Sequence, residues 1–153
     1  RRLTMPITID KVSPEDQETF RAVMDLAPLM AAEMALVPVV PEKVAAKVYR
    51  CIEAGLCWVA RSDGAVVGTI GLKELEFDYG DGSFWADSFF YVAEGQRFGV
   101  VGVKLLRAVQ EAAREAGRIC IVARVKPEAR KTEYGLYAEI AGFTPFGHFA
   151  RIA

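Results

Sequence analysis

The segment from Leu56 to Val92, LCWVARSDGAVVGTIGLKELEFDYGDGSFWADSFFYV, constrains this chain more than any other. It carries apolar runs broken by two turn signals, Ser62-Asp63-Gly64 and the DYGDG of Asp78–Gly82. Asp-Gly between apolar runs favours tight hairpins, because both central residues of such a turn need positive φ. The strands LCWVA, AVVGTIGLKELEF and SFWADSFFYV therefore fold back on one another as a three-stranded antiparallel meander.

The flanks supply helices and further strands. MPITIDKV alternates apolar and polar residues and reads as a first strand. Ser13 suits a helix N-cap, Pro14 the first helical position, and Glu15 and Asp16 the positive end of the dipole. Phe20, Val23, Met24 and Ala27 form that helix's apolar stripe, and Pro28 is expected to kink or stop it. LMAAEMALVPVVP then reads either as a helix end and a loop over a pocket or as a helical extension packed on the core. PEKVAAKVYRCIEAG is a second helix with Val44, Val48, Cys51 and Ile52 inward, ended by Gly55. After the meander comes a helix at VKLLRAVQEAAREAG, whose expected buried stripe is Val101, Leu105, Val109, Ala112 and Ala116. RICIVARV is a strand, KTEYGLYAEIAGF a helix and TPFGHFARI a last strand. An antiparallel front followed by a β-α-β crossover gives a mixed α/β fold. The expectation is a mostly antiparallel sheet of six to seven strands with about four helices, in one domain spanning 1–153.

The totals exclude several classes. Net charge is −1, so no strongly basic nucleic-acid footprint is expected. No apolar run reaches the roughly 18–20 residues of a membrane span. RRLTMPITID has no apolar h-region, so a secretory signal is not expected. Cys51, Cys57 and Cys120 are odd in number and lack a CxxC, which suits core thiols in a reducing cytoplasm. One histidine, His148, cannot build a multi-histidine metal site.

The stretch VAEGQRFGVVG, Val92 to Gly102, places bare backbone between the apolar SFFYV and a helix N-terminus. Backbone N–H groups there have no intrahelical partners and sit at the positive end of the dipole, a cradle for phosphate. Arg97 can add charge-assisted contacts. Gly95, Gly99 and Gly102 do not match GxGxxG, and no Lys-Ser/Thr follows Gly102.

With FYV at Phe90–Val92, RFGVVG at Arg97–Gly102 and the pair Leu105-Leu106, the chain resembles the GCN5-related N-acetyltransferases (GNAT). Val100 stands where that family's motif has its first glycine, and Gly99 lies one position early. LYAEIAGF looks like the family's LYxxxGF, with Tyr137 five residues before Gly142 instead of four. The order of elements resembles the family plan over nearly the whole chain.

The resemblance implies acetyl-CoA as cofactor and direct attack by an amine on the thioester. Its pyrophosphate would lie on the N–H groups of Arg97, Phe98, Gly99, Val100, Val101, Gly102 and Val103, and its pantetheine arm along Phe90, Tyr91 and Val92. The Val92 N–H would polarise the thioester carbonyl. Tyr137 is the implied acid for the leaving thiolate, with Tyr134, one turn earlier, in reserve. Asp87, five residues before Val92 and set among aromatics, is the candidate base, beside the alternative of ordered water. Glu74, Glu76 and Asp78 read as a solvated strand face, and Arg124, Lys126, Arg130 and Lys131 as a solvated loop or a patch for the cofactor's 3′-phosphate. The expected acceptor is a small-molecule or peptide amine, with no nucleic acid or membrane partner and a homodimer possible. APLMAAEMALVPVVP, with one acid, Glu33, suggests a fairly apolar or neutral acceptor. The competing expectation is a catalytically weak acyl-CoA-binding module of the same fold, a sensor or a subunit.

Overall fold

The structure, a computed structural model, describes residues 6–34, 37–97 and 99–122. The elements run β1 (Ile7–Lys11), α1 (Gln17–Met34), α2 (Pro41–Glu53), β2 (Cys57–Ser62), β3 (Ala65–Glu76), β4 (Ser83–Val92), α3 (Val101–Ala116) and β5 (Cys120–Ile121). A short 3-10 turn, Glu94–Gln96, joins β4 to α3. The strands form one sheet in chain order, β1-β2-β3-β4-β5. The first three pairings are antiparallel, and β4 runs parallel to β5 through the α3 crossover.

The meander forms where its turn residues allow it. Asp63 and Gly64 take φ of 51° and 78°, both positive, as a hairpin turn with the twist of its strands requires. Alternation then sorts each strand's side chains onto two faces. Trp58, Ala60, Ile70, Leu72, Phe90 and Val92 pack with Val101, Leu105, Leu106 and Val109 of α3. On the other face Cys57, Val59 and Phe89 pack with Val23 and Ala27 of α1 and Val48, Cys51 and Ile52 of α2. The sheet is thus covered on both sides, and the end of β4 lies between the two layers.

The mixed α/β fold is as expected, with a five-stranded sheet and three α-helices among the described residues. Several local expectations are corrected. The cap of α1 is Asp16, not Ser13: the Thr19 N–H donates to Asp16 Oδ1 at 3.0 Å and Thr19 Oγ1 to Oδ2 at 2.6 Å. Ser13 instead closes a local turn with Glu15. Pro28 does not stop α1, which continues to Met34. Packing of Met24, Ala27 and Met30 on the sheet outweighs the lost N–H bond. On α3 the buried stripe closes at Ala113, while Ala112 is half-buried and Ala116 exposed. Glu74 and Glu76 are exposed, as a solvated strand face requires. The expected final helix and strand, His148 and the basic cluster from Arg124 to Lys131 lie outside the described residues. No described helix is long and apolar enough to cross a membrane.

Candidate cofactor and acceptor site

One extra residue in β4 sets up the site. The β3–β4 ladder pairs Gly71 with Phe89 and Leu72 with Asp87, so Ser88 has no opposite number and forms a β-bulge. Before the bulge, the Trp85 N–H faces β5 and donates to Ile119 O at 2.8 Å. In an antiparallel ladder successive residues alternate in the direction of their backbone groups. The bulge shifts that phase by one, so Phe90 and Val92, not Phe89 and Tyr91, turn their backbone groups away from β3. Two contacts bear this out. The Phe90 N–H donates to Met30 Sδ of α1 at 3.3 Å, and Val92 O accepts Arg97 Nε at 3.2 Å. The Ala93 N–H, one residue on, returns to β3 through Val67 O at 2.8 Å.

Among the described residues this edge is paired only in part. β4 pairs with β5 at Trp85 and Ala86, and among the described residues β5 follows β4 no further. From Asp87 to Val92 the strand is paired to β3 on one side, and on the other the Phe90 N–H meets Met30 and Val92 O meets Arg97. A thioether is a weak acceptor. The Phe90 N–H is therefore held by a partner that a stronger acceptor can displace.

α3 begins where this edge ends. The glycine at Gly68, opposite Val92 in the ladder, lets the helix approach: a β-carbon there would lie 2.8 Å from Val101 Cγ1 and 3.1 Å from Leu105 Cδ1. Val100 is the N-cap and its side chain makes no capping bond. A valine side chain has no oxygen to offer, so no N-cap side chain takes up the first N–H groups of the helix. Val100 itself is 54% exposed, at the mouth of the loop. Gly99 is exposed too, and Phe98 lies outside the described residues.

Arg97 points inward. Its guanidinium donates to Val92 O, to Glu33 Oε1 of α1 at 2.5 Å and to the Tyr91 hydroxyl at 3.2 Å. It also lies over the Tyr91 ring, 5.4 Å from the centroid. One guanidinium thus ties the open edge of β4 to a carboxylate of α1. Beside it is a cavity of about 450 Å³ lined by Leu26, Leu29, Ala32 and Glu33 of α1 and by Tyr91, Ala93 and Glu94. Tyr91 reaches this cavity through its ring, while its backbone faces β3.

Asp87 is half-buried, opposite Leu72 and before the bulge. Together with burial, the larger effect, its charge pushes the Cys120 thiol up to about 12. Asp87 and Tyr91 are four residues apart on β4, about 13 Å at the rise of a strand. Asp87 and the cavity therefore sit at opposite ends of the open edge. Tyr134 and Tyr137 lie outside the described residues. Among the described residues no group of acids, histidines and cysteines could hold a metal ion. Met30, Ser88 and Glu94 were not legible as site residues. The Arg97–Glu33 contact spans 64 residues of sequence and leaves no local signal.

A model of the Acetyltransferase (GNAT) family matches residues 26–143. A search of curated proteins found no match. Among solved structures, the aminoglycoside acetyltransferase AAC(6')-Iy in complex with a bisubstrate analogue of CoA is 15% identical, with 97% of each chain covered and a TM-score of 0.71. A predicted acetyltransferase with acetyl-CoA from Clostridium acetobutylicum is 11% identical over 97% of this chain and 96% of that one, with a TM-score of 0.70. The ribosomal-protein-alanine N-acetyltransferase of Brucella melitensis is 16% identical over 97% and 99%, with a TM-score of 0.63.

Proposed function

The chain belongs to the GNAT acetyltransferase family, and from that premise we propose that it moves an acetyl group from acetyl-CoA to a primary amine, of a small molecule or of a protein N-terminus or lysine. The observation that carries this reading is the bulge at Ser88, which turns Phe90 and Val92 outward beside an uncapped helix N-terminus and a cavity. The aminoglycoside and ribosomal-protein enzymes share the fold, and at these identities the fold leaves the acceptor open.

The residues present fit the cofactor. The outward backbone of Phe90 and Val92, which now meets Met30 and Arg97, would exchange those partners for an extended arm in the manner of an added strand. Gly99 and Val100 to Val103 offer backbone N–H groups at the positive end of α3 for a pyrophosphate. When bound, acetyl-CoA supplies the acyl group as a thioester already activated toward an amine. The Val92 N–H would stabilise negative charge at the thioester carbonyl oxygen, and Tyr91 lines the cavity beside it.

An alkylammonium has a pKa near ~10.4, so the acceptor must lose a proton before it reacts. Asp87 takes that proton, by way of water given its distance from the cavity, or water alone carries it off. Tyr137, with Tyr134 in reserve, donates the proton that the departing thiolate needs. Val100 favours a second reading, an acyl-CoA-binding module without turnover, because its exposed side chain stands where the family's motif has a glycine.

Release of free CoA, followed with a thiol reagent while amines are added, separates the two. Amine-dependent release above the rate of hydrolysis supports the transferase. Saturable acetyl-CoA binding with no amine-dependent release supports the binding module.

A further inference from the structure

Building on the acetyltransferase reading, we infer that the acceptor is a primary monoamine carried on an apolar body. It is received in the cavity between α1 and the end of β4, with Glu33 exchanging Arg97 for the substrate's ammonium. The walls come first. Leu26, Leu29 and Glu33 lie three and four residues apart on one face of α1, so the cavity meets two leucines and then a carboxylate along a single line. Leu29 is 52% exposed, an aliphatic side chain that the fold itself leaves uncovered at the cavity wall. The buried Tyr91 lines the same cavity. The volume, about 450 Å³, falls within the range of small-molecule sites.

Charge narrows the occupant. Among the described lining residues the ionisable acids are Glu33 and Glu94. Glu33 is already matched by Arg97 and its side chain is 30% exposed, whereas Glu94 lies exposed at the rim. An ammonium laid against Leu26, Leu29 or Ala32 would lose water and gain no partner, a cost that grows with every further charge. A single ammonium has a place at Glu33. Among the described lining residues a polycation does not have enough places.

Position completes the argument. The guanidinium that holds Glu33 also holds Val92 O, so an amine arriving at Glu33 stands beside the open edge of β4.

The test is a comparison of kcat/KM under saturating acetyl-CoA for phenethylamine and hexylamine against spermidine and kanamycin. The two monoamines should exceed both polycations by about tenfold or more. Leu29→Asp, at a side chain already half exposed, should lower kcat/KM for the monoamines and raise it for spermidine. Glu33→Gln should raise KM for the monoamines about tenfold. Equal or better use of spermidine or kanamycin, or an unchanged KM in Glu33→Gln, overturns the inference and leaves the acetyltransferase reading standing. Acetyl-CoA binding without transfer to any amine overturns both.

Discussion

Gly71 offers a sharp test of how the site is built. It faces Phe89 in the ladder, in the last pair before the bulge at Ser88. A β-carbon at Gly71 would lie 2.4 Å from both Cε1 and Cζ of Phe89 and 3.1 Å from Cys51 Sγ. Carbon atoms settle at about 3.5–4.0 Å, so Gly71→Ala drives the ring back by about 1 Å. Phe89 is 3% exposed and packed among Cys51, Ile52 and Val59, so it has no empty space to enter. Overpacking of this kind costs about 1–3 kcal/mol. For a chain of this length that lowers the melting temperature by on the order of 3–10 °C. The displaced ring adjoins the residue that turns Phe90 and Val92 outward, so acetyl-CoA affinity should fall with stability. Thermal denaturation and acetyl-CoA titration read the two effects. Gly80→Ala is the control, since a β-carbon there meets nothing within 4 Å. It should stay within about 0.5 kcal/mol of the parent. Gly71→Ala combined with Phe89→Leu should be less damaging than the sum of the two, with a coupling of about 0.5–3 kcal/mol. Parental stability in Gly71→Ala, or strict additivity in the pair, would refute the packing argument.

Three further outcomes are expected. Hydrogen bonds from the Thr19 hydroxyl and N–H lower the Asp16 pKa below its ordinary 3.8. A lowered folded value means stability that is present above the unfolded value and is lost as pH falls through the folded one. Urea midpoints followed from neutral pH down past 3.8 should therefore fall less steeply in Asp16→Asn than in the parent, and parallel profiles would contradict the cap. Burial raises the Cys51 thiol and pushes Cys57 up to about 12, and Cys120 reaches about 12 by burial and the charge of Asp87. All three thiols should resist a thiol reagent at neutral pH in the folded protein and react in guanidinium, and prompt native reaction at any of them would contradict this. Pro28→Ala should restore an interior helix bond worth up to about 3 kcal/mol and raise the melting temperature. It should also re-aim Met30 and Glu33 and reduce acetyl transfer, whereas a less stable variant would contradict the account.

The sequence showed the meander because its turns are written locally, in Asp63-Gly64 and Asp81-Gly82. It showed the loop before α3 for the same reason. The cap of α1 was misread because Ser13 and Asp16 both carry cap chemistry, and the choice rests on a distant contact. Arg61 Nη2 donates to Thr19 Oγ1 at 2.5 Å and holds it against Asp16 across 42 residues of sequence. Pro28 was overweighted because its local cost is legible and the sheet beneath it is not. The bulge leaves no mark in SFWADSFFYV, since it is a property of register between strands. The pairing of Arg97 with Glu33 likewise exists only after α1 has docked beside β4. The sequence suggests a phosphate contact for Arg97, whereas its guanidinium turns to Glu33 and Tyr91.

The central claim is that the outward backbone of Phe90 and Val92 and the first turn of α3 form one binding surface for acetyl-CoA. Amide hydrogen exchange, resolved by residue with and without saturating acetyl-CoA, tests it most directly. The account predicts stronger protection at Phe90, Val92 and Val101 to Val103, and little change at Phe89 and Tyr91, whose amides already face β3. Binding that protects other amides and leaves Phe90 and Val92 unchanged would contradict it.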